Sequence, residues 1–130
     1  MRGHAIHNSL AKTVANRFRR RQFTTYLEYK VILPDGRVNF IDVYVTRGSF
    51  AIACEIETTP RYVTVNVAKG MQLGIPVWVV VPNRTVGRAV SQMLRRRFGR
   101  PRDDCYRIFR QAQLIAELNH RFSSANEREN

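Results

Sequence analysis

At 130 residues the chain is long enough for one domain with a real core, and its 44% apolar share is that of a folded protein rather than a disordered one. Lys and Arg number 22 against 10 Asp and Glu, a formal charge of +12 that favours a polyanionic partner. No apolar run approaches the ~18 residues of a membrane span, the N-terminus lacks a signal-peptide stretch, and two cysteines cannot build a disulfide framework; the expected setting is the cytoplasm, in association with the nucleoid.

Residues 5–20 place Leu10, Val14 and Phe18 at i, i+4 and i+8, an amphipathic helix with Arg17, Arg19, Arg20 and Arg21 at its basic end. Residues 23–33 alternate and are rich in aromatic and β-branched types, so they read as a strand. Pro34-Asp35-Gly36 signals a turn, and residues 37–46 return as the second arm of a hairpin. Arg47-Gly48 turns again into a third strand, Phe50–Glu57. Pro60 predicts the first turn of a helix that runs to a Gly74 C-cap, although Val63, Val65 and Val67 also suit a strand. Val77–Val81 is wholly apolar and bounded by prolines, as befits a strand buried on both faces. A basic helix follows over 85–97, with Val86, Val90, Met93 and Leu94 inward and Arg95, Arg96 and Arg97 at its end. Residues 105–118 carry a helical pattern, with a short strand at Tyr106–Phe109 as an alternative for its start. Residues 123–130 read as a flexible polar tail. The order is αβββαβα plus a C-terminal element: an α/β domain over 1–122 in which three antiparallel strands lead into a helical crossover.

Nineteen of the 22 basic residues are Arg, whose planar fork grips phosphate at two points and stacks on bases. A coding bias toward Arg explains the ratio of Arg to Lys but not the sign of the charge. Through residue 102 there are 18 basic residues and only five acidic ones: Glu28, Asp35, Asp42, Glu55 and Glu57. Asp35 belongs to the turn, and the other four lie on predicted strands, where acids are disfavoured. Period two puts Phe40, Asp42 and Tyr44 on one side of the second strand. It likewise puts Ala51, Ala53, Glu55 and Glu57 on one side of the third, the two glutamates about 7 Å apart. Carboxylates converging in so basic a chain make a seat for a hard divalent cation. Ion pairing with arginines on a solvated sheet face is the alternative. His4-x-x-His7 is too sparse for zinc, and neither a Gly-rich phosphate loop nor a Ser/His/Asp arrangement is present. Trp78, Cys54 and Cys105 read as core.

A strand, a turn, Asp42 in a second strand, Glu55-Ile56-Glu57 closing a third, a helix and the run Val77–Val81 follow one another from Glu28 to Pro82. This order resembles the core of the PD-(D/E)XK nuclease superfamily, which includes restriction endonucleases, archaeal Holliday-junction resolvases and many mobile-element nucleases. Asp42 stands where that family has its first acid, preceded by Ile41 rather than Pro. Glu55 corresponds to the second acid, and Glu57 fills the usual lysine slot. The stretch AIACEIETT, followed by Asn66, Lys69 and Gly74, is similar to a branch whose active-site lysine is displaced onto the next helix.

The resemblance implies a restriction endonuclease-like αβββαβ core with a mixed central sheet flanked by helices. It implies a DNA endonuclease dependent on Mg²⁺ or Mn²⁺, structure-specific or of mobile-element or phage type. Asp42 and Glu55 would hold the metal with the Ile56 carbonyl, Glu57 would bind metal or orient water, and Lys69 would stabilise the charge of the transition state. Asn66 is an accessory candidate. The first helix lacks the acid that many members carry, and His7 or Glu28 are candidates to replace it. Tyr62, Asn66, Lys69 and Leu73 share a helical stripe, which predicts Lys69 close to the carboxylates; a snorkelling surface lysine is the alternative. Arg17, Arg19, Arg20, Arg21, Arg95, Arg96 and Arg97 are candidates for phosphate contact. The expected partner is DNA, duplex or branched, with RNA as the alternative and no membrane, and cutting both strands calls for a homodimer. Two other classes fit the charge. One is a binding module for DNA or RNA that keeps the fold without cleaving. The other is a structural RNA-binding protein resembling small ribosomal proteins, which leaves the clustered acids unexplained.

Overall fold

The computed structural model describes residues 2–122, with side chains from residue 5 onward; the predicted tail at 123–130 and the His4 side chain lie outside these. The elements are α1 (Arg2–Arg20), β1 (Thr24–Ile32), β2 (Val38–Arg47), β3 (Phe50–Ile56), α2 (Val63–Leu73), β4 (Val77–Val81), α3 (Arg84–Phe98), β5 (Tyr106–Arg110) and α4 (Gln111–Arg121). The five strands form one mixed sheet in sequence order, antiparallel from β1 to β3 and parallel from β3 to β5. The chain is therefore an α/β structure with helices on both faces of the sheet and a helix at its C-terminal end.

Each face buries one set of alternating residues. Val14 and Phe18 of α1 and Leu114 and Leu118 of α4 pack on Val43, Val45, Ile52, Cys54, Trp78 and Val80. On the opposite face Val63 and Val67 of α2, with Val90 and Leu94 of α3, cover Ala53, Val77, Val79, Val81 and Tyr106. β4 feeds both cores by turns, and this is why its sequence is apolar throughout. Both cysteines are free and buried. No helix among the described residues is long and apolar enough to cross a membrane.

Two predicted boundaries shift. Pro60 does not open α2: its carbonyl accepts from Val63 N at 3.3 Å in a preceding turn, and the helix starts at Val63. The helical pattern over 105–118 divides, because Tyr106–Arg110 pairs in parallel with β4 and α4 starts only at Gln111. Pairing with a buried neighbour outweighs local helical periodicity there. The end of α2 is as the sequence reads, with Gly74 in the left-handed region at φ 69°. Gly70 matters for placement: a Cβ there would stand 2.2 Å from Val77 Cγ2, so only glycine lets α2 lie this close to β4.

Strand alternation fails at one level of the sheet. Ile41 is buried in the α2/α3 core, whereas Val43 and Val45 are buried in the α1/α4 core, so odd-numbered positions change face across Asp42. The expectation that Phe40, Asp42 and Tyr44 share one side fails for that reason. β1 is disturbed at the same level. Glu28 lies between the pairs Leu27–Val43 and Tyr29–Ile41 but makes no pair itself, and its φ is +49°, a strained value for a side-chain-bearing residue. The shift brings Tyr26 and Tyr29 together, their ring centroids 5.2 Å apart. An irregularity that crosses two neighbouring strands re-aims the side chains around it, as bulges next to functional sites do.

Candidate active site

The irregularity builds the site. β2 and β3 pair regularly from Arg47–Phe50 to Val43–Cys54 and then stop, one residue short of Asp42 and Glu55. Side chains replace the missing ladder bonds. Asp42 N donates to Glu55 Oε1 at 3.0 Å, and Ile56 N donates to Asp42 Oδ2 at 2.8 Å. Each carboxylate is thus anchored by the other strand's backbone, which also satisfies two amides that sheet pairing leaves free.

Helix α2 supplies the counter-charge. With Gly70 seated against Val77, the inward stripe of the helix carries Asn66 and Lys69 onto the acids. Lys69 is only 4% exposed; its Nζ donates to the Phe40 carbonyl at 2.6 Å and lies 2.7 Å from Glu55 Oε2. That last contact is an ion pair by distance but lacks hydrogen-bond angles, so Oε2 is buried with a charge beside it and no aligned donor. Asn66 Nδ2 donates to Glu57 Oε1 at 2.5 Å, while its Oδ1 lies 3.4 Å from Lys69 Nζ. Tyr62, assigned by the sequence to the same stripe, sits at the N-cap and is exposed. From the other face of the sheet, His7 on α1 brings Nε2 to 3.1 Å from Asp42 Oδ2. Glu28 is exposed but borders the same cleft of ≈ 560 Å³, with His7, Asp42, Glu57, Asn66 and Arg61.

Burial raises the pKa of Glu55 to about 7, helped by the charge of Asp42 and opposed by Lys69. Burial also raises Glu57 to about 7, opposed first by the Asn66 hydrogen bond and then reinforced by Asp42. Two glutamates that titrate near neutrality beside a third carboxylate form an environment that a cation would relieve. Among the described residues no three Asp, Glu, His or Cys side chains converge on a single point. The donor chemistry nevertheless suits a hard ion held by one or two carboxylates and completed by water and phosphate oxygens. Asp42 and Glu55 are oxygen donors on adjacent strands, and Glu55 Oε2 is the buried oxygen without an aligned partner.

The sequence candidates outside the cleft separate. Arg17, Arg19 and Arg20 close the last turn of α1, and Arg21 is bonded to Asn119. Arg96 and Arg97 are exposed at the end of α3, with the Arg97 guanidinium over the Phe98 ring at 5.3 Å. Arg95 instead lines a second concavity, together with Arg84, Arg88 and Arg110. Sequence reading missed Arg84, Arg88 and Arg110, although 84, 88, 91 and 95 carry the i, i+4, i+7, i+11 spacing of one helical stripe. It also missed Arg61 at the cleft and the Phe40 carbonyl that anchors Lys69; a backbone acceptor leaves no mark in a sequence. No protein-family model matches the chain, and no curated protein matches it.

Proposed function

We propose that the protein is a divalent-metal-dependent DNA endonuclease built on a PD-(D/E)XK-like core. One observation carries the reading: Lys69, 12 positions beyond the lysine slot that Glu57 fills, is buried 2.7 Å from Glu55 Oε2. A basic chain that buries a lysine against an acid at a break in its sheet spends stability on charge placement, which a structural role does not require.

In this reading Asp42 and Glu55 hold a Mg²⁺ or Mn²⁺ ion, which when bound polarises the phosphodiester and acidifies a water. The chain's own groups do the rest. Lys69 Nζ, fixed by the Phe40 carbonyl, faces the negative charge that grows on the phosphoryl oxygens. Glu57 titrates near neutrality and accepts a proton from the attacking water, with Asn66 holding its carboxylate in place. His7 orients Asp42 from α1, in the role that the missing helix acid would fill. Glu28 lines the same cleft from β1, on the side open to substrate.

Incubation of supercoiled, linear and four-way-junction DNA, and of RNA, with protein and Mg²⁺ or Mn²⁺ tests this, with a chelator control. Cleavage of DNA that needs metal and is lost in Asp42→Ala and Glu55→Ala, with binding retained, is the expected result. The rival reading, a binding module that does not cleave, is favoured by the amides that already occupy Asp42 Oδ2 and Glu55 Oε1. Binding without cleavage under either metal would select it. Paired cuts in both strands at matched sites, from a species of twice the monomer mass, would support the dimer.

A further inference from the structure

The concavity on the far side of β4 is lined by basic side chains. It encloses ≈ 520 Å³ between α3, β5 and the start of α4, and five arginines line it: Arg84, Arg88, Arg95, Arg107 and Arg110. Arg107 is already engaged, 2.5 Å from Glu117 and lying over the Phe109 ring, so it serves as a wall. The other four have no carboxylate within ion-pair distance among the described residues, and no acidic side chain lines the groove. Arg84, Arg88 and Arg95 are exposed along one stripe of α3, with Ser91 between them donating nothing but accepting from Arg95 Nε at 3.3 Å. Holding four guanidinium groups around one hollow costs repulsion that nothing in the described chain offsets. An anion in the hollow would offset it.

Size and placement identify that anion. Arg84 to Arg95 spans about 16 Å along the helix axis, too long for a single phosphate group but suited to several phosphates in a row. The groove is concave and lined by charge, with no large exposed apolar side chain among its lining residues to enter a lipid surface. It also lies at the end of the sheet that carries the acids. Glu57 directly follows β3, Val81 ends β4 and Arg110 ends β5, and these three strands run parallel. Glu55 and Ile108 belong to the same face, the one covered by α2 and α3. β5 is two strands from β3, about 10 Å across the sheet, or roughly three base steps of a DNA strand.

We infer that the groove formed by Arg84, Arg88, Arg95 and Arg110 binds the phosphate backbone of the nucleic acid a few nucleotides from the bond presented to the acidic cleft. The choice of DNA rests on the nuclease reading; the groove itself does not, and its test needs no cleavage. Fluorescence anisotropy of a labelled duplex is measured against salt for the wild type, Arg84→Ala/Arg88→Ala, and Lys30→Ala/Arg37→Ala, which removes the same charge from the β1–β2 hairpin. The groove variant should bind roughly tenfold more weakly, with a log–log salt slope flatter by about 1.8, since each lost phosphate contact removes about 0.9. The hairpin variant should keep the wild-type slope. Arg88→Lys should keep the slope and lose part of the affinity, because an ammonium replaces one charge but not a two-point grip. Equal loss in both double variants, or wild-type binding by the groove variant, overturns the inference. So does binding to phosphatidylserine vesicles in preference to duplex. If the groove variant loses binding while the wild type never cleaves, the groove stands and the nuclease reading falls. If the wild type cleaves and the groove variant cleaves with unchanged KM, the reverse holds.

Discussion

Each of the three acids at the break in the sheet has a partner: Asp42 has His7 and the Ile56 amide, Glu55 has Lys69 and the Asp42 amide, and Glu57 has Asn66. Two strands away, the arginine groove gathers four cations that have no carboxylate near them among the described residues. The first region is mostly buried and holds its acids in fixed bonds, with Glu55 Oε2 left without an aligned donor; the second is exposed and has no counter-charge. Burial accounts for the difference. A carboxylate removed from water must be bonded or protonated, whereas an exposed guanidinium stays hydrated and tolerates its neighbours at a cost of tenths of a kcal/mol. Perturbation should therefore be expensive in the cleft and cheap in the groove.

The largest effect is expected at Lys69. Lys69→Met keeps the reach of the side chain but strands Glu55, and breaking a buried pair from one side costs about 3–5 kcal/mol. Urea denaturation at pH 8 should show that loss. Lys69→Met/Glu55→Gln should recover most of it, since the amide oxygen can still accept from Asp42 N. In the proposed nuclease the single variant should also lose about 10²–10³ in rate, the scale of removing one charge-stabilising donor, with duplex affinity kept. Lys69→Arg should not rescue it, because the wider fork does not fit a space closed by Phe40 and Glu55. Full stability of Lys69→Met would mean that the cleft is wetter than its geometry indicates.

Next in size is Gly70→Ala. The added methyl would meet Val77 Cγ2, a strand side chain with little room to yield, so α2 must lift from β4. Overpacking of this kind costs about 1–3 kcal/mol. The shift also carries Lys69 and Asn66 away from the acids, so metal-dependent cleavage should fall further than stability alone explains. Salt-dependent duplex binding, governed by the groove, should be unchanged. Gly74→Ala at the helix end, by contrast, is strained by its φ of 69° but lifts nothing from the sheet, so it should cost stability without a specific loss of cleavage.

Much of the cleft was legible in the sequence because acids inside strands of a basic chain are conspicuous. Asp42, Glu55 and Glu57 stood out on that ground, and the three-residue step from Asn66 to Lys69 placed them on one helical face. The change of face at Asp42 was not legible, since period two is all that a strand sequence displays and the break depends on which amides the carboxylates capture. Glu28 with its positive φ was hidden for the same reason. The groove was half legible. Arg95 was seen as part of a run, yet contiguous arginines point in different directions on a helix, and Arg110 arrives from another element altogether.

Protonation gives the third test. Glu55 and Glu57 titrate at about 7 in the folded chain against 4.5 for the free side chain. A folded-state pKa raised above the unfolded one means that the folded chain holds the proton more tightly. The stability from these two groups is therefore fully present below pH 4.5 and lost as the pH rises through about 7. Denaturation midpoints without metal should fall across this window, and Glu55→Gln and Glu57→Gln should each flatten the decline. Mg²⁺ should raise the melting temperature more at pH 8 than at pH 5, because it binds the ionised form. A flat stability profile from pH 5 to 8 in the wild type would show that the acids stay ionised throughout.

The smallest effect should have the opposite sign. Arg84 and Arg88 are one helical turn apart on the exposed stripe of α3, and like charges at i, i+4 destabilise a helix by about 0.2–0.5 kcal/mol. Asn83, whose side chain accepts from Val86 N at 2.9 Å, caps that end of α3 without help from either arginine. Arg84 also lies in the first turn of the helix, where the backbone dipole disfavours positive charge. Arg88→Ala should therefore raise stability by a few tenths of a kcal/mol at low salt, and Arg84→Ala/Arg88→Ala by somewhat more. The gain should fade at high salt as the repulsion is screened. Added duplex DNA should reverse the order and make the wild type the more resistant to heat, because binding to the folded state stabilises it by mass action. A loss of stability in Arg88→Ala without DNA would mean that the guanidinium makes a contact worth more than its repulsion, and the groove would then be a packed surface rather than a waiting one.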